Sequence, residues 1–551
     1  MAMIMVLSMI FTNGIFSQIK EGIPPKSIMH KLAPDEVPVY KLKALDFNRI
    51  RKDDELNTTD TRELRFAVPT DVDINTKSHG HWSELEGKGK VWRLTIESPN
   101  ALATILEYDK FHLPPGSTLH LYNEDRSHLV GAFTAQNNKG SHDAPSSFFT
   151  ELILGRSVTI EYFEPMGAER QAIISISRVM QAYRDVDTLK RFKGFSDSGA
   201  CQININCPDG NPYQVQKLGV ARMLLTSPNG SFWCTGQMLT TILGGFNPYF
   251  LTAHHCLDDS YDATGTNNVN CLFYWDYEAA GCTNPASEPS SITTSGAMLV
   301  ANKSDSDFAL FWLLEDPFRD AGFAPLYMSW DPNLPLAGAG GAGIHHPAGD
   351  TKKISLFSQN ATTNHPCAPN LTWSVIFNHG GGVFTSTEGG SSGSALLDVN
   401  RRIIGQLWGG RRASNCGTGP ECANPADDLS YYGKFSDSWG DAGGKRRRLS
   451  DWLSESCTTN STHSTNITNT AEMFHADNKV TSSAGIYDNS SLKATVVKLD
   501  GGNSVDLLNG FEVDGAANVF IRNDADCPAA KSDTEGIAVS NSVRPIIESD
   551  K

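Results

Sequence analysis

A chain of 551 residues, 39% hydrophobic and 20% charged, has a globular composition but exceeds what one compact core serves, so two or three domains are expected. Its 46 Lys and Arg against 62 Asp and Glu leave a net charge of -16, which argues against the clustered cations that nucleic-acid binding requires. All 11 cysteines lie between Cys201 and Cys527, which suggests a boundary near residue 200.

Residues 2 to 16 (AMIMVLSMIFTNGIF) are an apolar stretch of signal-peptide length followed by the small residue Ser17, so 1–17 reads as a secretion signal. No Lys or Arg precedes Lys20, and an N-terminal anchor stays open as the alternative. No later stretch approaches the ~20 apolar residues of a spanning helix. Residues 18 to about 90 are mixed and carry no clear assignment. From there to about 180 the apolar period is two, in Trp92, Leu94 and Ile96, in Leu119 and Leu121, and in Val158, Ile160 and Tyr162, with turn signals such as Leu113-Pro114-Pro115-Gly116 between them. A cysteine-free β domain is expected there. Between 201 and 457, short apolar runs and many glycines point to an all-β barrel or sandwich.

The basic run Lys445-Arg446-Arg447-Arg448 precedes Leu449, Trp452 and Leu453 at helical spacing, so it reads as the solvated face of a helix near 445–455 rather than as a nucleic-acid or membrane patch. Residues 458–490 open with the Thr, Asn and Ser-rich TTNSTHSTNITNT, a linker composition. In 491–551, Val505 and Leu507, Phe511 and Val513, and Val519 and Ile521 alternate with polar residues around Asn509-Gly510 and Asp514-Gly515, which predicts a small β module built from hairpins.

Three separated segments carry chemistry: Phe250-Leu251-Thr252-Ala253-His254-His255-Cys256, then Ser306-Asp307-Phe308-Ala309-Leu310, then Gly389-Gly390-Ser391-Ser392-Gly393-Ser394. Acyl transfer by a serine needs an accessible hydroxyl, a base to take its proton and a carboxylate to orient the base. A Gly-x-Ser-x-Gly-like run alone is commonly a tight turn, and a His beside a Cys is commonly structural. Their joint occurrence with an Asp at the head of an apolar run is what points to catalysis.

Leu251-Thr252-Ala253-His254-His255-Cys256 and Gly390-Ser391-Ser392-Gly393-Ser394 resemble the motifs of chymotrypsin-like serine peptidases. Ile344-His345-His346-Pro347, Gly405-Gln406-Leu407-Trp408-Gly409-Gly410 and Leu449-Ser450-Asp451-Trp452-Leu453 extend the resemblance to the bacterial lysyl endopeptidase branch, over about 194–456. It implies two six-stranded antiparallel β-barrels and a triad in which His255 is the base, Asp307 rather than Asp305 orients it, and Ser392 is the nucleophile. His254 is then a packed neighbour. The amides of Gly390 and Ser392 would form the oxyanion hole, where one lost donor typically costs ~10²–10³ in rate. Trypsin-type enzymes have an Asp before the serine that pairs with a new N-terminal amine. Here that residue is Ser391, so the site is expected to be preformed and blocked by a propeptide.

The resemblance further implies cleavage between Lys193 and Gly194, which would make 18–193 a β-rich propeptide and 194–457 the protease domain. A permanent N-terminal β domain is the alternative. Implied disulfides are Cys201–Cys416, Cys207–Cys282 and Cys234–Cys256, the last clamping the loop of His255 at about 3 kcal/mol in the loop-entropy model. Cys271, Cys367, Cys422, Cys457 and Cys527 are left over, an odd number that requires a free or intermolecular thiol. No Cys-x-x-Cys pair favours a metal site, and no metal or other cofactor is expected.

The branch reads lysine with an Asp three residues before a Tyr-Gly pair, but anchoring on Tyr432-Gly433 puts Ser430 there. A neutral Ser does not offset desolvation of an ammonium, so Glu388 or Asp428 would have to substitute, or the pocket takes uncharged side chains. Leu407, Trp408 and Gly409 would flank the substrate, and Phe377 stands where the branch has an aromatic-wall Trp. The C-terminal region resembles the short β-stack repeats that end secreted proteins of Bacteroidetes-like bacteria, with attachment, stabilisation or export as its use. The expectation is a secreted bacterial serine endopeptidase acting on protein or peptide substrates, with its own propeptide as inhibitor or folding aid and no membrane segment after signal removal. The alternative is a catalytically silent homologue serving as a secreted binding or adhesion protein.

Overall fold

The computed structural model describes residues 23–33, 37–56, 64–184, 198–242, 247–257, 267–318, 321–333, 340–416, 422–440 and 445–454, and strand backbone within 458–522. Residues 1–17 and the Lys193-Gly194 bond lie outside these, as do Cys457 and Cys527. No helix among the described residues is long and apolar enough to cross a membrane.

The alternating residues of the N-terminal region become direct cross-strand neighbours. Strand Ser157–Pro165 lies antiparallel between Gly89–Glu97 and Thr118–Tyr122, matching Val158 with Ile96, Ile160 with Leu94 and Leu121, and Tyr162 with Trp92 and Leu119. All eight are buried. One face of this sheet packs on a second layer that contributes Ile74, Leu106, Tyr108, Ile176 and Val179, giving a sandwich with side chains of period-two strands interdigitated between layers.

The second layer does not end at the domain. Strands Ala103–His112 and Ile173–Ala182 lead to Leu64–Asn75, which pairs antiparallel with Gly230–Leu239 of the next domain through Leu64 with Trp233, Arg65 with Phe232 and Ala67 with Ser231. Phe66 stacks on Trp233, ring centroids 4.9 Å apart at 14°. Eleven strands therefore form one sheet across the boundary.

Six of those strands, Val220–Ser227, Gly230–Leu239, Tyr249–Ala253, Asn267–Trp275, Ile292–Lys303 and Phe308–Leu313, close into an antiparallel barrel, since Val220–Ser227 also pairs with Gly230–Leu239. A second, eight-stranded antiparallel sheet has six longer strands, Gly341–His345, Lys353–Phe357, Thr372–Ile376, Ala395–Asp398, Ile403–Arg412 and Asp428–Lys434, and two of two residues. The expected all-β architecture is present, with one of the two expected six-stranded barrels closed. Among the described residues no strand pairing closes the second sheet. Val300, Leu310 and Tyr249 of the barrel share one core with Ile344, Leu397 and Ile403 of the second sheet. Trp452 and Leu453 of the short helix Ser450–Leu453 plug the same core. The expected helix near 445–455 is thus only a 3-10 turn, Lys445–Arg447, followed by this one turn.

Two expectations for the tail are corrected. Residues 458–490, read as linker, carry strands Thr458–His463, Ile467–Thr468, Ala471–Ser482 and Gly485–Tyr487. The strands beside Asn509-Gly510 and Asp514-Gly515 do not pair as hairpins: Ser504–Leu507 joins Ala471–Ser482, Glu512–Asp514 joins Gly485–Tyr487 and Asn518–Arg522 joins Val496–Gly501, all in parallel.

Candidate active site

Strand Tyr249–Ala253 ends at Ala253, and the chain turns through the 3-10 segment His254–Cys256. Its antiparallel partner begins at Phe308, opposite Ala253, so His255 and Asp307 are delivered side by side by two paired strand ends. Asp307 Oδ2 lies 2.7 Å from His255 Nδ1, and Oδ1 accepts the His255 backbone N–H at 2.9 Å. Asp307 is 1% exposed and adopts φ +56°, a left-handed conformation in which Asp is enriched. Asp305 instead points outward toward Lys303 Nζ at 3.8 Å. His254 packs as a neighbour: its Nδ1 meets Asn302 Nδ2 at 3.1 Å and its amide donates to the Asp307 carbonyl at 3.0 Å.

The serine turn sits where the barrel meets the second sheet. Thr235 of the first barrel donates its amide to the Ser392 carbonyl at 2.8 Å and its hydroxyl to the Gly390 carbonyl at 2.8 Å. Gly393 donates to the Leu407 carbonyl of the second sheet at 2.9 Å. Gly390 has φ +98°, and a Cβ there would lie 2.7 Å from Gly349 N and 2.9 Å from the His346 carbonyl. At Gly393, φ +83°, a Cβ would fall 2.1 Å from Thr252 Oγ1. Both positions therefore demand glycine on conformational and steric grounds.

The turn is also held from behind. Ser391 Oγ lies 2.7 Å from His345 Nδ1, and His345 Nε2 lies 3.0 Å from Ser355 Oγ. Burial, with Lys353 adding to it, lowers the His345 pKa to about 3. His346 is likewise pushed well below the ordinary imidazole value, by burial first and Lys352 second. The sequence singled out both histidines in a motif without giving either a task.

Around the expected specificity pocket, Ser430 Oγ and Thr387 Oγ1 are 2.8 Å apart, both buried. Thr387 was not foreseen; its position five residues before the serine is the only sequence signal. Of the two substitute carboxylates, Asp428 is ion-paired with Arg412, opposite it in the sheet. Glu388 Oε1 accepts the Gly199 amide at 2.8 Å and Gln202 Nε2 at 2.7 Å. Trp408 is half-buried at a register shift between Leu407 and Gly409, which re-aims it out of the strand. Leu407 and Phe377 go the other way. Both are in the core against the second sheet with Phe357 and Tyr432, and Phe377 is 0% exposed, so it is core packing and not an exposed aromatic wall.

Four disulfides are formed among the described residues, Cys201–Cys422, Cys207–Cys282, Cys234–Cys256 and Cys367–Cys416. The expected Cys201–Cys416 bridge is corrected. The Gly199–Gln202 segment is drawn to Glu388 and Cys422, while Cys416 closes a turn on Arg412 beside Cys367, whose sulfur contacts the Ala413 carbonyl. Cys271 is a buried free thiol, and burial raises its pKa.

The family model for the lysyl endopeptidase C-terminal domain matches residues 195–432. A lysyl endopeptidase of Pseudomonas aeruginosa is 27% identical over 394 residues, 68% of this chain and 78% of its own. The secreted RxLR effector protein 73 of Plasmopara viticola is 23% identical over 353 residues, covering 59% of this chain and 77% of its own. Among solved structures, the thermostable serine protease AL20 from an extremophilic microorganism aligns over 40% of this chain and 92% of its own, at 16% identity and a TM-score of 0.27.

Proposed function

We propose that the chain, whose residues 195–432 match the lysyl endopeptidase C-terminal domain model and which is 27% identical to a lysyl endopeptidase over 394 residues, is a serine endopeptidase that cleaves peptide bonds through Ser392, His255 and Asp307. His255 takes the Ser392 proton as the hydroxyl attacks the scissile carbonyl, and Asp307 holds the ring with Nδ1 protonated so that Nε2 is the acceptor. The amides of Gly390 and Ser392 receive the developing oxyanion. His255 then returns the proton to the leaving amine, and water resolves the acyl-enzyme by the same steps in reverse. The observation that carries this reading is the double contact of the buried Asp307 carboxylate with the ring and amide of His255. Reaction of the mature protein with a fluorophosphonate probe, lost in Ser392→Ala, tests it; an unlabelled wild type overturns it.

For the side chain preceding the cut, the hydroxyl pair Thr387–Ser430 supports an uncharged pocket. A lysine ammonium there would lose its hydration without a paired carboxylate, since Asp428 is engaged with Arg412 and Glu388 with Gly199 and Gln202. Cleavage at Lys193–Gly194 is then performed by another protease.

Residues 18–193 serve as the inhibitory propeptide and 194–457 as the protease domain. What supports this is the strand Leu64–Asn75, which is added to the edge of Gly230–Leu239 two residues from Thr235, the donor to the Ser392 carbonyl. An extended segment on that edge is an occupant of the β-augmentation kind. Four disulfides suit an oxidising compartment, which supports secretion.

A further inference from the structure

The segment that carries the proposed oxyanion amides has a side-chain anchor of its own. Residues Glu388–Ser391 form a tight turn: the Ser391 amide donates to the Glu388 carbonyl at 2.9 Å, and the Glu388 amide donates back to Ser391 Oγ at 3.2 Å. That hydroxyl is then directed away from the cleft, to His345 Nδ1 at 2.7 Å. His345 is the last residue of strand Gly341–His345, and its other nitrogen meets Ser355 of the adjacent strand Lys353–Phe357. Ser391, His345 and Ser355 are each 0% exposed.

A neutral imidazole has one N–H and one lone pair. Ser391 Oγ already accepts from the Glu388 amide, so the arrangement that uses every group has the Ser391 O–H donating to Nδ1 and Nε2–H donating to Ser355 Oγ. The tautomer follows from the hydrogen-bond count, not from observed hydrogens. The chain of contacts carries no net charge, and it is rooted in a two-stranded β pairing rather than in a loop.

Resting on the triad reading above, we propose that His345 is a positioning residue for the oxyanion turn, acting through the Ser391 hydroxyl to fix the peptide planes on either side of Ser391. Those planes contain the N–H groups of Ser391 and Ser392, and the plane preceding Gly390 is gripped separately, by Ala348 N–H to the Gly389 carbonyl at 2.7 Å. The turn Pro347–Gly349 that follows His345 completes the support, because Gly349 N and the His346 carbonyl crowd Gly390, and Arg222 Nη1 holds the Gly349 carbonyl at 2.9 Å. The loop running on from His345 thus backs the whole turn without a charged group inserted from a chain terminus. Releasing the Ser391 hydroxyl lets the turn rotate, which displaces donors that matter for the transition state more than for the bound substrate.

The test uses the mature enzyme processed from the full chain, with Ser391→Ala, His345→Gln and the double variant. Ser391→Ala removes one oxygen and keeps the turn's shape; His345→Gln keeps one donor and one acceptor and reports a partial rescue. Expected results are a kcat lowered roughly 10- to 100-fold in Ser391→Ala with KM within about twofold, since part of the ~10²–10³ value of an oxyanion donor is lost. Affinity for a peptide aldehyde should fall in parallel while affinity for the product peptide holds. His345→Gln should lose less, and the double variant should be no worse than Ser391→Ala, the signature of two groups acting as one unit. Thermal denaturation of each variant separates misfolding from mispositioning. A Ser391→Ala kcat within about twofold of wild type, a loss confined to KM, or additive losses in the double variant would overturn the proposal. Failure of the wild type itself to react with the fluorophosphonate would instead remove the triad reading.

Discussion

Asp307 grips His255 twice, accepting the ring Nδ1–H at one carboxylate oxygen and the backbone amide at the other, at 2.7 and 2.9 Å. An amide in place of the carboxylate would present an NH₂ to one of these donors and favour the wrong tautomer. Asp307→Asn should therefore reduce kcat by about 10⁴ on a peptide ester with little change in fold. Asp305→Asn, on a side chain 68% exposed, should stay within about twofold. Steady-state kinetics on the two variants distinguishes them.

Ser430 shares its hydrogen bond only with another neutral hydroxyl. Wild type should prefer an uncharged side chain before the cut, and Ser430→Asp should raise kcat/KM for lysine substrates by at least tenfold by supplying the missing counter-charge. A peptide-library cleavage profile of both proteins reads this directly. Lysine preference in the wild type would contradict it.

Cys416 and Cys422 lie six residues apart in the sequence and choose different partners. Peptide mapping of unreduced protein should recover Cys201 linked to Cys422 and Cys367 linked to Cys416. A peptide joining Cys201 to Cys416 would refute the assignment.

The Phe66 ring lies nearly parallel on Trp233. In a chain made uncleavable by Lys193→Ala, Phe66→Ala should weaken the hold of the N-terminal domain by about 3 kcal/mol, the usual range for a buried Phe. Activity on a small substrate should then rise over the uncleavable parent, by up to about 10²-fold. Unchanged background activity would separate this contact from inhibition.

His345 and His346 are neutral when folded, with pKa values depressed below the ordinary 6.5, to about 3 for His345. Below pH 6.5 the unfolded imidazoles take up protons that the folded ones refuse. Stability contributed by these groups is thus complete above about 6.5 and is lost as pH falls below it, for His345 down to about 3, at up to about 1.4 kcal/mol per pH unit for each. Urea midpoints of the Ser392→Ala protein between pH 7 and 4 should show this slope, and His345→Gln should flatten it by up to one proton's worth. An identical slope in both would remove His345 from the linkage.

What the sequence made legible depended on where each segment is buried. Trp92, Leu94 and Ile96 alternate because one face of their strand meets the sandwich core. Leu64–Asn75 escaped notice because Phe66, Ala67 and Val68 are all buried in succession, the strand being covered on both sides, and such a run has no period to read. His255, Asp307 and Ser392 were readable because each is set in a short run of residues with its own backbone needs. His345 was not, since its contact with Ser391 spans 46 positions and leaves no local trace. Phe377 was misplaced by analogy of residue type: a Trp's location was carried over, but this smaller ring packs inward against Tyr432.

The sheet shared by the two domains also bears on how the protein is handled before maturation. Leu224, Trp233, Leu272 and Tyr274 of the barrel pack directly on Phe66, Ile105, Phe149 and Met180 of the N-terminal domain, and the Ser231–Trp233 backbone is paired along that seam. A barrel synthesised without its N-terminal partner would offer both an apolar face and an open strand edge to other molecules, the combination that seeds aggregation. Under the propeptide role proposed above, the N-terminal domain would also keep the barrel soluble until it is removed, and recombinant protein should be produced from the whole chain and trimmed afterwards.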